Sequence, residues 1–125
     1  MNSVDQIQDK QTVLIVDDKK EVLRFMEIGL KHHGFQVITA TSGKEALDLI
    51  RTREPHIMLL DIIMPVMDGL EVLRQLRSFS SIPVIAFSAT PENHDAALNC
   101  GADDFVNKPF YPEQMIGKIK SLIDQ

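Results

Sequence analysis

Short apolar runs alternate along the chain with longer stretches in which apolar residues return every three or four positions. The runs at 12–16 (TVLIV), 35–40 (FQVITA), 57–60 (IMLL), 83–88 (PVIAFS) and 104–107 (DFVN) read as strands. From Lys19 onward Val22, Phe25, Met26, Gly29 and Leu30 recur at helical spacing, and Gly34 stands in the helix-stop position after HH. In TSGKEALDLIRTREP, Ser42 caps a second helix, Glu45 is placed to return the hydrogen bond, and Pro55 lies beyond its end. DGLEVLRQLRS predicts a third helix with Leu70, Leu73 and Leu76 on one side. PENHDAALNCG predicts a shorter, weaker one ending near Gly101. The last, YPEQMIGKIKSLIDQ, carries a stripe of Met115, Ile116, Ile119, Leu122 and Ile123.

Five strands therefore alternate with five helices. The strands lack hydrophobic alternation, as expected where helices cover both faces of a parallel sheet. The fold class that follows is α/β, a single doubly wound parallel sheet. Residues 1–11 read as a flexible, polar N-terminal lead-in, and residues 12–125 as one domain.

Composition narrows the function classes. The chain has 125 residues, 44% hydrophobic and 25% charged, which suffices for a core without disulfides or structural metal. The net charge of −5 argues against a nucleic-acid-binding surface. Cys100 is the sole cysteine, so no internal disulfide forms, which suits a reducing cytoplasm. Cys100 itself reads as a small buried residue. MNSVDQIQDK lacks the apolar centre of a signal peptide, and no apolar stretch approaches the roughly 18 residues of a membrane span. His32, His33, His56 and His94 have no metal-ligand spacing and receive no role. Met58, Met64, Met67 and Met115 read as packing residues.

In a doubly wound sheet the working site lies beyond the carboxyl ends of the strands. The first strand ends in Asp17-Asp18, the third in Asp61, the fourth in Ser88, and the fifth near Lys108-Pro109. Asp61 interrupts the apolar run HIMLLDIIMP, where an ionised acid is costly unless paired. Three carboxylates on one edge repel each other, and a divalent cation would offset that. Magnesium suits the set because it takes oxygen ligands and shares its shell with phosphate. With a lysine and a hydroxyl added, the group suits phosphoryl transfer onto a carboxylate. Plainer readings stand beside this one. Asp17 and Asp18 also suit a helix cap, Asp61 a loop acid, Ser88 a structural serine, Lys108 a solvated lysine and Phe105 plain core. Gly69 reads as shaping the loop after Asp61.

LIVDD, LLDIIMPVMDG, IAFSAT and GADDFVNKPF, in this order and each at a predicted strand end, resemble the receiver domain of two-component response regulators (CheY-like). The resemblance runs from about Thr12 to the C-terminus. It implies a flavodoxin-like sheet of order 2-1-3-4-5 with five helices. It implies that Asp61 accepts a phosphoryl group from the phosphohistidine of a histidine kinase or phosphotransfer protein. Asp17, Asp18, Asp61 and the backbone carbonyl of Ile63 would hold Mg²⁺. Lys108 would pair with the phosphoryl oxygens, and Ser88 would move to hydrogen-bond them. Phe105 would be the aromatic switch, turning inward when Ser88 moves. The Lys108-Pro109 peptide would be cis. Serine stands at 88 where threonine is common, and it lacks the methyl that restrains the rotamer. Ile63 and Thr90 occupy positions that tune dephosphorylation; an aliphatic Ile63 would crowd out attacking water and lengthen the phosphorylated lifetime.

The resulting expectation is a phosphorylation-controlled cytoplasmic switch, not a turnover enzyme, whose fourth helix, fifth strand and fifth helix form the output face. The downstream target would be a separate protein or a fused output domain. The chain ends about one helix after Lys108 and reads as either a single-domain regulator or a receiver from a longer protein. Three other functions compete with this one. An aspartyl-nucleophile phosphatase needs a second acid two residues after the nucleophile, where Ile63 stands. A flavin-binding module needs a Ser/Thr/Gly loop after the first strand, where DDKKE stands. A phosphorylation-independent docking receiver would not need the complete acid, hydroxyl and lysine set.

Overall fold

A computed structural model describes residues 10–123. The lead-in expected over residues 1–11 lies, through residue 9, outside the described residues. The elements in chain order are β1 (Thr12–Val16), α1 (Lys20–His32), β2 (Gln36–Ala40), α2 (Gly43–Arg53), β3 (Ile57–Asp61), α3 (Gly69–Arg77), β4 (Val84–Ser88), α4 (Asn93–Asn99), β5 (Asp104–Asn107) and α5 (Pro112–Ile123). The sheet has five strands in the order β2-β1-β3-β4-β5, all paired in parallel.

Successive strand residues point to opposite faces, and this divides the core in two. Leu14, Val16, Met58, Leu60, Val84 and Ala86 face α2, α3 and α4, whose Leu47, Ile50, Val72, Leu73, Leu76 and Ala97 cover them. Val13, Ile15, Ile57, Leu59, Ile85 and Phe87 face the other way, under Leu23, Met26 and Leu30 of α1 and Met115, Ile116 and Ile119 of α5. The three central strands are therefore apolar between their ends, with Thr12 opening β1 and Asp61 and Ser88 closing β3 and β4, because neither face reaches water. β2, at the edge, has only Ala40 buried.

Helix termini follow local chemistry with one change of partner. Ser42 Oγ accepts a hydrogen bond from Glu45 N at 3.2 Å, but the Glu45 carboxylate returns to Thr41 N at 2.9 Å instead of the Ser42 amide. Asp68 caps α3 by accepting from Glu71 N at 2.9 Å. Gly34 sits at φ +92° after α1, where the chain reverses.

Apolarity and burial part company at Phe25, and Cys100 is less enclosed than its sequence reading as a small buried residue. In α1 the buried residues are Leu23, Met26 and Leu30, while Phe25 is 55% exposed. Phe25 precedes Met26 by one residue, about 100° round the helix, which takes it off the inward stripe. Cys100 is half-buried at the margin of the core and not enclosed by it.

Arg77, at the end of α3, ties three segments together. Its guanidinium donates to Gly101 O at 2.7 and 3.0 Å, to Ile82 O at 2.8 Å, to Ser80 O at 3.1 Å and to Asp103 Oδ2 at 3.2 Å. Gly101, at φ +118°, has no room for a side chain there: a Cβ would sit 2.7 Å from Arg77 Cγ.

Candidate functional site

Parallel pairing brings the carboxyl ends of the strands to one edge. Val16 lies opposite Leu60, Asp61 opposite Phe87, and Ser88 opposite Asn107. Asp17, Asp61, Ser88 and Lys108 each sit at or just beyond these positions, and Asp17 N extends the ladder to Ala40 O at 3.2 Å. The expected set therefore meets in one place.

Asp17 is fully buried and Asp61 is 2% exposed. Asp17 Oδ1 accepts from Lys19 N at 2.9 Å, and its Oδ2 lies 3.3 Å from Lys108 Nζ. Asp61 Oδ1 accepts from Ile63 N at 3.1 Å. Asp61 Oδ2 has no hydrogen-bond partner, with Lys108 Nζ 3.7 Å away. Asp18 is more open and is paired with Lys19 Nζ at 3.3 Å. One ammonium thus faces two buried carboxylates. The charge is not balanced, and the consequence falls on Asp61: burial first, then repulsion by Asp17, raise its pKa from 3.8 to about 6 against the pull of Lys108.

A cation fits this arrangement. Asp17, Asp18 and Asp61 each offer a carboxylate oxygen, and these oxygens lie within 4.8 Å of one another. All-oxygen donors suit a hard divalent ion. The buried Asp61 Oδ2, which accepts no hydrogen bond from the described residues, supplies a second indication.

The loop after Asp61 is held close by Gly69. Its N–H donates to Ile62 O at 2.8 Å. A Cβ there would lie 2.6 Å from Asp61 O and 2.6 Å from Ile62 Cα. Ile63 points outward and is 51% exposed. An apolar cavity of about 500 Å³ opens against Val22, Phe25, Met26, Ala89, Lys108 and Pro109. The Lys108-Pro109 peptide is cis.

Ser88 is fully buried; its Oγ accepts from Thr90 N at 3.0 Å and from Asn93 Nδ2 at 3.1 Å. Phe105 is 6% exposed, already inside, with the His94 ring edge-on at 5.3 Å. The sequence reading missed Asn93 and His94 as neighbours of the site. Neither stands in an apolar stripe or a recognisable motif, so only the spatial return of α4 onto β4 and β5 reveals them.

Residues 13–120 match the response regulator receiver domain. The chain belongs to that family. This receiver domain is 38% identical over 117 residues to the "Probable transcriptional regulator ycf27" of Cyanophora paradoxa, covering 92% of this chain and 49% of that protein. The Porphyra purpurea protein of the same name is 40% identical over 116 residues, at 91% and 48% coverage. The chain spans about half the length of the curated relatives it matches. Among solved structures, the Francisella response regulator 1452 receiver domain superposes with a TM-score of 0.86 at 34% identity, covering 92% of this chain and 98% of that one. The BeF3-activated N-terminal receiver domain of Klebsiella pneumoniae RstA gives 0.85 at 27% identity, at 91% and 99% coverage. The flavodoxin-like order 2-1-3-4-5 expected from the motifs is the order found. Among the described residues of the receiver, no helix is long and apolar enough to cross a membrane.

Proposed function

We propose that this receiver domain is a phosphorylation-dependent switch in which Asp61 accepts a phosphoryl group from the phosphohistidine of a histidine kinase or phosphotransfer protein. The observation that carries the reading is the buried, unpartnered Asp61 Oδ2, facing Lys108 with Asp17 and Asp18 beside it. A carboxylate oxygen kept free of hydrogen bonds retains its lone pairs for attack.

In the transfer, Asp61 Oδ2 forms a bond to phosphorus as the P–N bond of the phosphohistidine breaks, and that electron pair returns to the imidazole nitrogen. Lys108 Nζ, already within 3.7 Å of Asp61, pairs with the phosphoryl oxygens. Asp17, Asp18, Asp61 and the backbone carbonyl of Ile63 are the groups that would hold Mg²⁺. That ion supplies positive charge at the phosphoryl oxygens. Ser88 donates a hydrogen bond to a phosphoryl oxygen, and the buried Phe105 transmits the change to the face formed by α4, β5 and α5. That face acts on a downstream protein or a fused output domain. The protein promotes its own phosphorylation and dephosphorylation and is not a turnover enzyme. Ile63 stands where an aspartyl phosphatase would carry its second acid, which speaks against that activity. A cytoplasmic setting suits a partner kinase and a chain with one thiol.

The test is intact-mass spectrometry after incubation with acetyl phosphate, with and without Mg²⁺, with Asp61→Asn as control. One Mg²⁺-dependent phosphoryl adduct, absent in the variant, is expected. No adduct under any condition would reduce the protein to a docking domain that works without phosphorylation.

A further inference from the structure

The hydroxyl of Ser88 has two lone pairs and one proton. Thr90 N–H and the Asn93 carboxamide occupy both lone pairs, at 3.0 and 3.1 Å. The first bond is local, two residues along the same turn. The second is not: it joins the end of β4 to the first residue of α4. Asn93 is a poor helix residue, since its short amide competes with the backbone. It does not cap its own helix either; Glu92 stands at the cap with no side-chain hydrogen bond. Its side chain turns back under the helix to Ser88 instead.

The helix it begins is weakly held. α4 has seven residues, of which only Ala97 is buried. The next residue, His94, lays its ring edge-on against Phe105 at 5.3 Å. Adjacent residues at the start of α4 therefore touch Ser88 on β4 and Phe105 on β5. Nothing else among the described hydrogen bonds ties the Ser88 side chain to a helix.

Resting on the switch reading above, we propose that Asn93 is a positioning residue: its carboxamide latches Ser88 to α4 and must let go before Ser88 can serve a phosphoryl group on Asp61. The latch favours the unphosphorylated arrangement, because that is where its hydrogen bond exists. Breaking it leaves the half-buried Asn93 amide free to meet water and frees the first turn of α4. A bond present in only one of two states shifts the balance by its own free energy. A net hydrogen-bond contribution of the usual size corresponds to roughly a 2- to 10-fold shift.

The probe is beryllofluoride with Mg²⁺, a phosphoryl mimic, titrated into the full chain and followed at backbone amides by NMR. Asn93→Ala should half-saturate at ~2- to 10-fold lower beryllofluoride than wild type. Its affinity for Mg²⁺ alone should not change, which a general loosening of the fold would not spare. In a Ser88→Ala background the same substitution should have no effect. Asn93→Asp, which has no hydrogen to give and instead accepts the Ser88 proton, should require more beryllofluoride than wild type. Unchanged or weaker binding by a folded Asn93→Ala protein, or an equal effect with and without Ser88, would overturn the latch. If Asn93→Ala does not fold, an Asn93→Asp protein binding as tightly as wild type does the same. Wild-type protein that takes up no beryllofluoride would instead overturn the switch reading, and the latch with it.

Discussion

Replacing Asp61 with asparagine should make the metal-free protein more stable at neutral and alkaline pH. The carboxylate is 2% exposed, one of its oxygens accepts no hydrogen bond, and Asp17 shares the Lys108 ammonium. Its pKa of about 6 compares with 3.8 for an unperturbed group. A carboxyl whose pKa is raised by folding stabilises the fold fully below the unfolded value. That contribution is lost as pH rises through the folded value. About two pKa units correspond to ~3 kcal/mol, the cost of holding Asp61 ionised at pH 8. Asparagine cannot ionise, but its amide must find partners in a pocket built for an acid, so a net gain of ~1–2 kcal/mol is expected. For a chain of this size that is roughly 4–8 °C in Tm. The assay is urea unfolding followed by circular dichroism in EDTA, for wild type and Asp61→Asn, at intervals from pH 5 to pH 8. The variant should lead at pH 8, and its lead should shrink as Asp61 protonates toward pH 5. With saturating Mg²⁺ the wild type should recover ~2–3 kcal/mol through binding, and the variant far less. Equal stability at pH 8 in EDTA, or a lead that grows toward acid, would refute the reasoning.

Three further outcomes follow from the same geometry. Lys108→Ala should lower metal-free stability at pH 8 by ~1–3 kcal/mol, measured by the same unfolding, because two buried carboxylates then face each other without a counter-charge. It should also slow formation of the phosphoryl adduct with acetyl phosphate. Gly69→Ala should cost ~2–4 kcal/mol in urea unfolding, since its Cβ would collide with rigid backbone at Asp61 and Ile62, a clash that moving the Ile62 side chain alone does not relieve. Ile63→Asn should shorten the lifetime of the phosphorylated protein, followed by loss of the adduct in the mass spectrum, by replacing an outward aliphatic group with one that can hold water; an unchanged lifetime would remove Ile63 from the control of hydrolysis.

Much of the fold was legible because period and punctuation agreed. All-apolar strands, glycine stops and the Ser42 cap each constrained the same layout, and strand ends alone assembled the acids with Lys108. Phe25 recurs at helical spacing with Met26 and Leu30 and yet stays exposed, because the apolar stripe of α1 is wider than the face the helix buries. Glu45 reaches back to the Thr41 amide, one residue before the cap, a choice between neighbouring donors that residue spacing does not encode. Arg77 and Asn93 were illegible for a different reason. Both act through polar side chains whose partners lie on other elements, and no local spacing encodes which carbonyl or hydroxyl a returning helix will meet.

Arg77 sets how α4 can respond. The guanidinium clasps the carbonyl of Gly101 and the carboxylate of Asp103, just past the C-terminal end of that helix, and anchors them to the end of α3. The far end is held by the Asn93–Ser88 hydrogen bond, which the proposed latch releases. A rod of seven residues, about 10 Å long at 1.5 Å per residue, is thus fixed at a fulcrum. A tilt of ~10° about Gly101 carries Asn93 about 2 Å and leaves the residues beside Arg77 nearly where they were. A protein docking on this surface would meet a stationary landmark at one end and a sweeping arc at the other, so recognition can be anchored on the first and made conditional on the second.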